Sequence, residues 1–502
     1  MIAFGLMSLI AIVGLMTDGG MMLIEYARLK RGIDAASVAA AQQFRKSLDT
    51  SSCPQSTALG IHYDVCQIKL ASENFLRLNQ SDVSAVQIDT CETAPSDTSL
   101  CTTPARKLVR VTATRTITFG FMRVVGFEST DITATSIGEA ASVDLVLMLD
   151  TSGSMAFETS GDPRISDPGA PGDDPRICNL NNNCQPMENI KSVARDFMDT
   201  LFFPYDRVAI VASTSQQPAG YRDPQPVLHL SDNETLVRQS IAGVKVFEPQ
   251  SCDSGYGPCL RRCSLLETQN SANANCYLKP ENYFLGSLCP AYADINTRAS
   301  CTSSNIGGAI KMAGEEFAYT DATHNMKQDS FWVVIALVGG ATNATNFKND
   351  HSVDADHDGI PDEFGWCPDY TLTSAGDPLC RNASFSYSMS MYKNADGTFP
   401  DDYDAVSYAR DQADFLANPV TGTGVTIFTI GLGDLLIHAN LGDPDAGEQL
   451  LEYIAESAGD TVNAAGLLVK ANHGFYRFAP TTSELAGIFA AIAENIKTRI
   501  SQ

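Results

Sequence analysis

An aspartate, five consecutive apolar residues and a second aspartate, Asp144 to Asp150, run directly into Thr151-Ser152-Gly153-Ser154. A run with no polar position has no side to turn to water, which suits a strand buried on both faces of a parallel sheet. Similar runs follow as RVAIVAS, FWVVIALV and VTIFTIGLG. Between them lie segments of helical periodicity, among them PMENIKSVARDFMDTLF, ETLVRQSIAGVKVF, SNIGGAIKMAGEEFAY and DDYDAVSYARDQADFLAN, and TSELAGIFAAIAENIKTRI closes the series. This alternation predicts a doubly wound α/β sheet over residues 143–502.

The 502 residues carry a net charge of −25, unevenly placed: residues 1–140 sum to −1 and the remainder to −24. Such acidity excludes a nucleic-acid partner, because phosphate binding needs clustered Lys and Arg. Residues 1–17 hold no charge and lack both the basic start and the small-residue cleavage site of a secretory signal. At about 1.5 Å per residue they reach the lower limit for a hydrocarbon core of about 30 Å. After Asp18-Gly19-Gly20 the pattern turns amphipathic, so residues 1–45 read as one long helix, with a kink or local melting expected at the paired glycines. In the module that follows, residues 46–142, Val109, Val111 and Ala113 alternate with Arg110, Thr112 and Thr114 as a half-buried strand does, and Asp131 to Ser136 repeat that alternation.

The fourteen cysteines are Cys53, Cys66, Cys91 and Cys101 in the near-neutral part, and Cys178, Cys184, Cys252, Cys259, Cys263, Cys276, Cys289, Cys301, Cys367 and Cys380 in the acidic part. Both counts are even, and most of these residues lie in Gly-, Pro-, Asn- and Ser-containing stretches, as disulfides of an oxidising compartment do. Zinc knuckles would need paired C-x-x-C spacings, and the sequence has none.

The run GLMTDGGMMLIEYARLKRGIDAASVAAAQQF resembles the N-terminal segment of TadE- and TadG-like proteins of Tad/Flp pili, with Asp18, Gly20, Arg28, Arg31, Ala35, Ala36, Ala39, Ala40 and Ala41 at matching positions. Residues 109–140 resemble the strand, turn and strand that close the pilin-like part of that family. The resemblance implies an assembly helix that packs against copies of itself or other pilins and sits in the membrane before assembly. The Ala-rich stretch would allow close helix packing. Type IV pilins place a Glu near the mature N-terminus to pair with a neighbour's α-amine; here the first acidic residue is Asp18, which either substitutes for it or marks a kink or interfacial position.

Asp150-Thr151-Ser152-Gly153-Ser154 resembles the Asp-x-Ser-x-Ser loop of von Willebrand factor type A domains, and SSNIGGAI resembles that family's Thr-Asn-Ile-Gly segment, with Ser304 at the Thr position. The resemblance implies magnesium or calcium held by Asp150, Ser152, Ser154 and Ser304, since hydroxyls and a carboxylate on a tight turn suit a hard cation. The family's Thr-Asp-Gly after the later strand is replaced by Val338-Gly339-Gly340, which removes one carboxylate; Thr342 or Asn343 is left to supply a neutral oxygen. The competing reading makes Ser152 and Ser154 mere caps of the following helix.

Residues 354–365, DADHDGIPDEFG, place Asp354, Asp356 and Asp358 at alternate positions before a glycine, with Ile360 offering a carbonyl and Asp362 a further oxygen. That spacing wraps a calcium ion. The bidentate Glu of an EF-hand is replaced by Gly365, and the loop more closely resembles the short calcium repeats of thrombospondin type 3. Two long insertions, residues 247–303 and 341–401, interrupt the α/β series, and disulfides and calcium would stabilise them. No G-x-S-x-G, H-E-x-x-H, Walker or dinucleotide motif is present, so an enzyme is not expected.

The expected protein is a non-enzymatic, pilin-like subunit of the bacterial surface whose type A domain binds an unidentified ligand. The alternatives are a membrane-anchored, calcium-dependent binding protein without a filament, and a soluble lectin-like or enzyme module. If the acidic loop holds calcium, EDTA lowers the thermal midpoint of the chain, and Asp356→Asn removes most of that effect; an identical midpoint with and without chelator in differential scanning calorimetry would eliminate the loop as a calcium site.

Overall fold

The computed structural model describes residues 2–45, 65–79, 83–156, 158–159, 175–214, 216, 224–248, 304–320, 330–340, 342, 405–433, 446–463 and 465–500. They form two compact units, one of Met1–Ser142 with Leu201–Asp206 and Ile496–Gln502, the other of Val143–Thr200 with Arg207–Asn495. The chain is a mixed α/β protein with a long N-terminal helix.

In the first unit, helix α1 (Ile2–Ala41) passes unbroken through Gly19 and Gly20. It is followed by α2 (Val65–Asn79) and an antiparallel sheet of β1 (Ala85–Asp89), β2 (Lys107–Thr118) and β3 (Ser129–Ala140), in that order. Leu29, Ile33, Ala36 and Ala40 recur at helical spacing and pack with Ala41 and Phe44 on Val109, Val111, Ala113, Ile132 and Ala134. The helix backbone comes so near β3 that a Cβ on Gly138 would lie 2.3 Å from the carbonyl carbon of Ser37; only glycine fits. On the other face, Thr112 and Thr114 hydrogen-bond Thr135 and Thr133 across the strand pair at 3.0 and 2.9 Å.

The second unit is built on a six-stranded sheet ordered β11-β8-β7-β4-β5-β6. Its strands are β4 (Ser142–Leu149), β5 (Arg207–Ala212), β6 (Gln225–Ser231), β7 (Ser330–Val338), β8 (Thr426–Leu432) and β11 (Tyr476–Ala479), while β9 (Thr461–Val462) and β10 (Leu468–Val469) make a separate hairpin. The helices are α3 (Pro175–Asn181), α4 (Met187–Phe197), α5 (Glu234–Gly243), α6 (Ile306–Ala318), α7 (Ala405–Ala417), α8 (Ala446–Glu456) and α9 (Leu485–Ile500). One core joins Val146, Met148, Ala209 and Val334 to α6, α7 and α8. The alternate residues Leu145, Leu147 and Leu149 are buried as fully, so β4 is covered on both faces. The sheet is mixed, since β6 runs antiparallel to β5. Residues 213–224 connect the two.

Of the expected disulfides, Cys91–Cys101 and Cys178–Cys184 are formed. Cys53, Cys252, Cys259, Cys263, Cys276, Cys289, Cys301, Cys367 and Cys380 lie outside the described residues, as does the side chain of Cys66. Two ion pairs are almost wholly buried. Lys107 Nζ meets Asp206 Oδ1 at 2.6 Å with side-chain exposures of 1% and 2%, and Arg207 donates twice to Asp144 at 2.9 and 2.7 Å. Removing one member of such a pair strands a buried charge, so Asp206→Ala should cost about 3–5 kcal/mol in urea unfolding. The double variant Lys107→Met/Asp206→Leu should recover most of that loss.

Candidate functional site

From β4 the chain proceeds to β5 and β6 on one side, then returns to place β7, β8 and β11 on the other. The order reverses between β4 and β7, and in open α/β sheets a crevice forms beyond the carboxyl ends of the strands at such a point. Asp150 and Gly339, the residues that follow those two strands, meet there: Gly339 N–H donates to Asp150 Oδ2 at 3.0 Å, and Asp150 N–H donates to Leu337 O at 2.8 Å.

The Asp150 carboxylate is fully buried and accepts two further bonds on Oδ1, from Ser152 N–H (2.9 Å) and Ser213 Oγ (3.0 Å). It thereby ties together the ends of β4, β5 and β7. Thr151 reinforces the β4–β5 junction, with its hydroxyl 2.6 Å from that of Thr214 and its N–H donating to Ser213 Oγ at 2.9 Å. The hydroxyls of Ser152 and Ser154 bond one another at 2.7 Å. Ser304 lies buried just before α6, and its carbonyl accepts from Thr342 Oγ1 at 3.0 Å. Asn305 caps α6 by accepting from Gly308 N–H at 2.9 Å. The structure therefore gathers Ser304 and Thr342 in one hydrogen-bonded pair and Asp150, Ser152 and Ser154 in one loop. Ser213 and Thr214 were not singled out in the sequence, where the only signal was a pair of hydroxyls closing an apolar strand.

Gly339 stands where the resemblance expects a carboxylate. A Cβ built there would lie 2.2 Å from the Met155 methyl and 3.6 Å from Ser154 Oγ. The position faces the serine loop, as a ligand would, but a thioether methyl fills it. Among the described residues, what remains is one carboxylate holding three donors, together with neutral hydroxyls. Hard divalent cations demand several oxygen ligands and anionic charge, so this set does not fit one.

Beside the loop, α3 packs on the turn Gly153–Ala156. It is fixed by the Cys178–Cys184 bridge and by Asn179, whose side chain donates to Val246 O (2.7 Å) and accepts from Val246 N–H (3.0 Å). Ile177 and Leu180 project from it, exposed.

The expected calcium ligands Asp354, Asp356, Asp358, Ile360 and Asp362 lie outside the described residues. Among the described residues no group of three or more His, Cys, Asp or Glu side chains is arranged to hold a metal, and no helix is long and apolar enough to cross a membrane.

The expected assembly residues have mostly internal roles. Ala36, Ala40 and Ala41 are buried in their own unit, Ala39 is half-buried and Ala35 is exposed. Close packing on the small residues is spent on β2 and β3, which the Ala-rich pattern suits as well as it would a second helix. Gly20 is half-buried, and a Cβ added to it would meet nothing within 4 Å. Asp18 clips the hairpin tip to the helix: its carboxylate accepts from Met122 N–H (2.7 Å), Gly120 N–H (3.0 Å) and Phe121 N–H (3.0 Å).

No protein-family model matches the chain, and no curated protein matches it. Solved structures to which it is similar include the vWF domain of the type V pili tip protein Mfa5 from Porphyromonas gingivalis, at 14% identity over 72% of this chain and 97% of that one, TM-score 0.33. The PilB minor pilin from Streptococcus sanguinis is similar at 11% identity over 84% and 78%, TM-score 0.34. Proximal thread matrix protein 1 from the mussel byssus is similar at 11% identity over 71% and 47%, TM-score 0.31, and has also been solved with zinc in its MIDAS motif. The chain thus spans about half the length of the mussel protein. Likenesses this distant carry no argument about the present chain.

The Met122 N–H, followed by those of Gly120 and Phe121, holds the Asp18 carboxyl below its usual range against the opposing effect of desolvation. A depressed folded-state value means that the clip contributes above about pH 3.9, the unfolded value, and is lost as pH falls through the lower folded one. Amide exchange at Gly120–Met122, corrected for intrinsic rates, should accelerate on acidification below pH 4, and in Asp18→Asn the acid step should vanish.

Proposed function

We propose that the chain is a non-enzymatic, pilin-like surface subunit whose N-terminal helix mediates assembly and whose α/β unit serves adhesion or protein binding outside the cell. One observation carries the reading. Ile12, Val13, Leu15, Met16, Met21, Leu23 and Ile24 of α1 are exposed, as are Phe121, Val124 and Phe127 at the hairpin tip beside it. At about 100° per residue, residues 12, 13, 15 and 16 point to three sides of the helix. On the remaining side, Gly14 lies against Phe121, whose Cβ would be 2.7 Å from a Cβ added to the glycine. Monomeric soluble proteins rarely leave so much contiguous apolar surface open to water. Surfaces of this kind are covered by copies of the same helix, by other pilins or, before assembly, by a membrane.

The Ala-rich stretch plays its part in this reading by holding α1 to its own sheet, so that the apolar end stands out for partners. The acidic loop at residues 354–362 retains its proposed role as a calcium staple in the binding unit, and residues 46–142 and 143–502 are proposed as the pilin-like and type A domains. Exposed Ile177 and Leu180, on a helix fixed by a disulfide, offer the binding unit an apolar contact beside the switch-point crevice.

Electron microscopy of sheared surface material, with antibody to the chain, should show it in fibres. Leu15→Glu/Met16→Glu should abolish incorporation while leaving the thermal midpoint of the α/β unit unchanged. Recovery of the wild-type chain only in detergent extracts would sink the assembly reading in favour of a membrane-anchored binding protein.

A further inference from the structure

We infer that the switch-point face of the α/β unit works without a bound divalent cation, and that Asp150 is a positioning residue holding three strand ends together. The inference deepens the reading of this unit as a binding module, and it is independent of whether the chain assembles.

Three features combine. The first is charge: with glycine at 339, the described residues bring a single carboxylate to bear on the crevice, and a doubly charged ion held by them would keep an uncompensated positive charge in a buried site. The second is occupancy, since the Met155 methyl lies 2.2 Å from where a Cβ on residue 339 would be, and thioether sulfur is a soft ligand that hard cations do not favour. The third is commitment. Asp150 accepts from Ser152 N–H, Ser213 Oγ and Gly339 N–H, and the two serine hydroxyls bond each other. Both Asp150 oxygens and the Ser152 and Ser154 hydroxyls thus already serve in the protein's own hydrogen bonding.

Met155 reaches Gly339 with the free end of a flexible side chain, so the seat can be reopened. Gly339→Asp/Met155→Ala supplies the second carboxylate and clears its place, and it should create a divalent site where the natural chain has none.

The test uses the full-length chain and Mn²⁺, counted by electron paramagnetic resonance; ions on the acidic loop contribute equally to every variant. Ser152→Ala/Ser154→Ala should leave the count of bound Mn²⁺ unchanged, and Gly339→Asp/Met155→Ala should raise it by one per chain. Asp150→Ala should lower the thermal midpoint by the same amount with and without EDTA, because a latch of hydrogen bonds needs no ion. Loss of one Mn²⁺ in the serine variant, or a destabilisation by Asp150→Ala that disappears in EDTA, would overturn the inference. If Asp150→Ala does not fold, the serine variant, which keeps the carboxylate and its three donors, decides alone.

Discussion

Three strand ends converge on the carboxylate of Asp150. β4 delivers it, β5 supplies the Ser213 hydroxyl and β7 the Gly339 N–H. At the point where a doubly wound sheet reverses its order, crossovers leave in opposite directions and no helix covers the gap. Backbone groups at that gap must still be satisfied, because a buried donor without a partner costs about 1–3 kcal/mol. One buried carboxylate with two oxygens and several lone pairs meets that need more economically than neutral side chains could. From Leu145 to Leu149 β4 offers no polar side chain, and the latch just past its end fastens it to the end of β7.

The same economy governs the first unit. A helix of 40 residues cannot hold its place by propensity alone and must bury a face. Leu29 to Phe44 bury that face on the sheet, and Gly138 lets the two backbones close. Toward its beginning the helix meets, among the described residues, the hairpin tip. There a charged group does the fastening, with Asp18 accepting from three consecutive N–H groups in the manner of a cap for the short helical turn Met122–Val125. Both units thus use a single Asp to gather backbone donors at a place where no regular ladder reaches.

These two aspartates also mark how far the sequence could be read. Strands such as Leu145 to Leu149 were legible because burial on both faces leaves no polar position, and the helices because their apolar residues recur at helical spacing. β6 was not, since Gln225, Pro226 and His229 on an edge strand blur both patterns. α2 and β1 escaped for lack of a strong periodicity. Asp150 and its serines were visible as a motif, but a motif names oxygens without naming the donors that claim them. Ser213 lies 63 residues from Asp150 and Gly339 lies 189, and no spacing rule connects them. The stand-in of Met155 for the absent carboxylate is likewise a fact of packing. Small residues at 35–41 were read as a surface for a neighbouring helix, but a pattern that admits a helix admits a strand equally well.

The uneven charge acquires a physical role on the proposed reading. Residues 1–140 sum to −1 and residues 141–502 to −24. Copies that associate through exposed apolar helices bring like units close together, and a near-neutral module imposes little Coulomb cost on that contact. A strongly acidic unit, by contrast, repels its copies over a screening length of about 8 Å at physiological ionic strength. Attraction confined to one part and repulsion to the other favour an assembly in which helices meet and binding units remain apart. If the switch-point face binds without a cation, that separation also leaves its apolar contacts at Ile177 and Leu180 open to a partner rather than to a second copy.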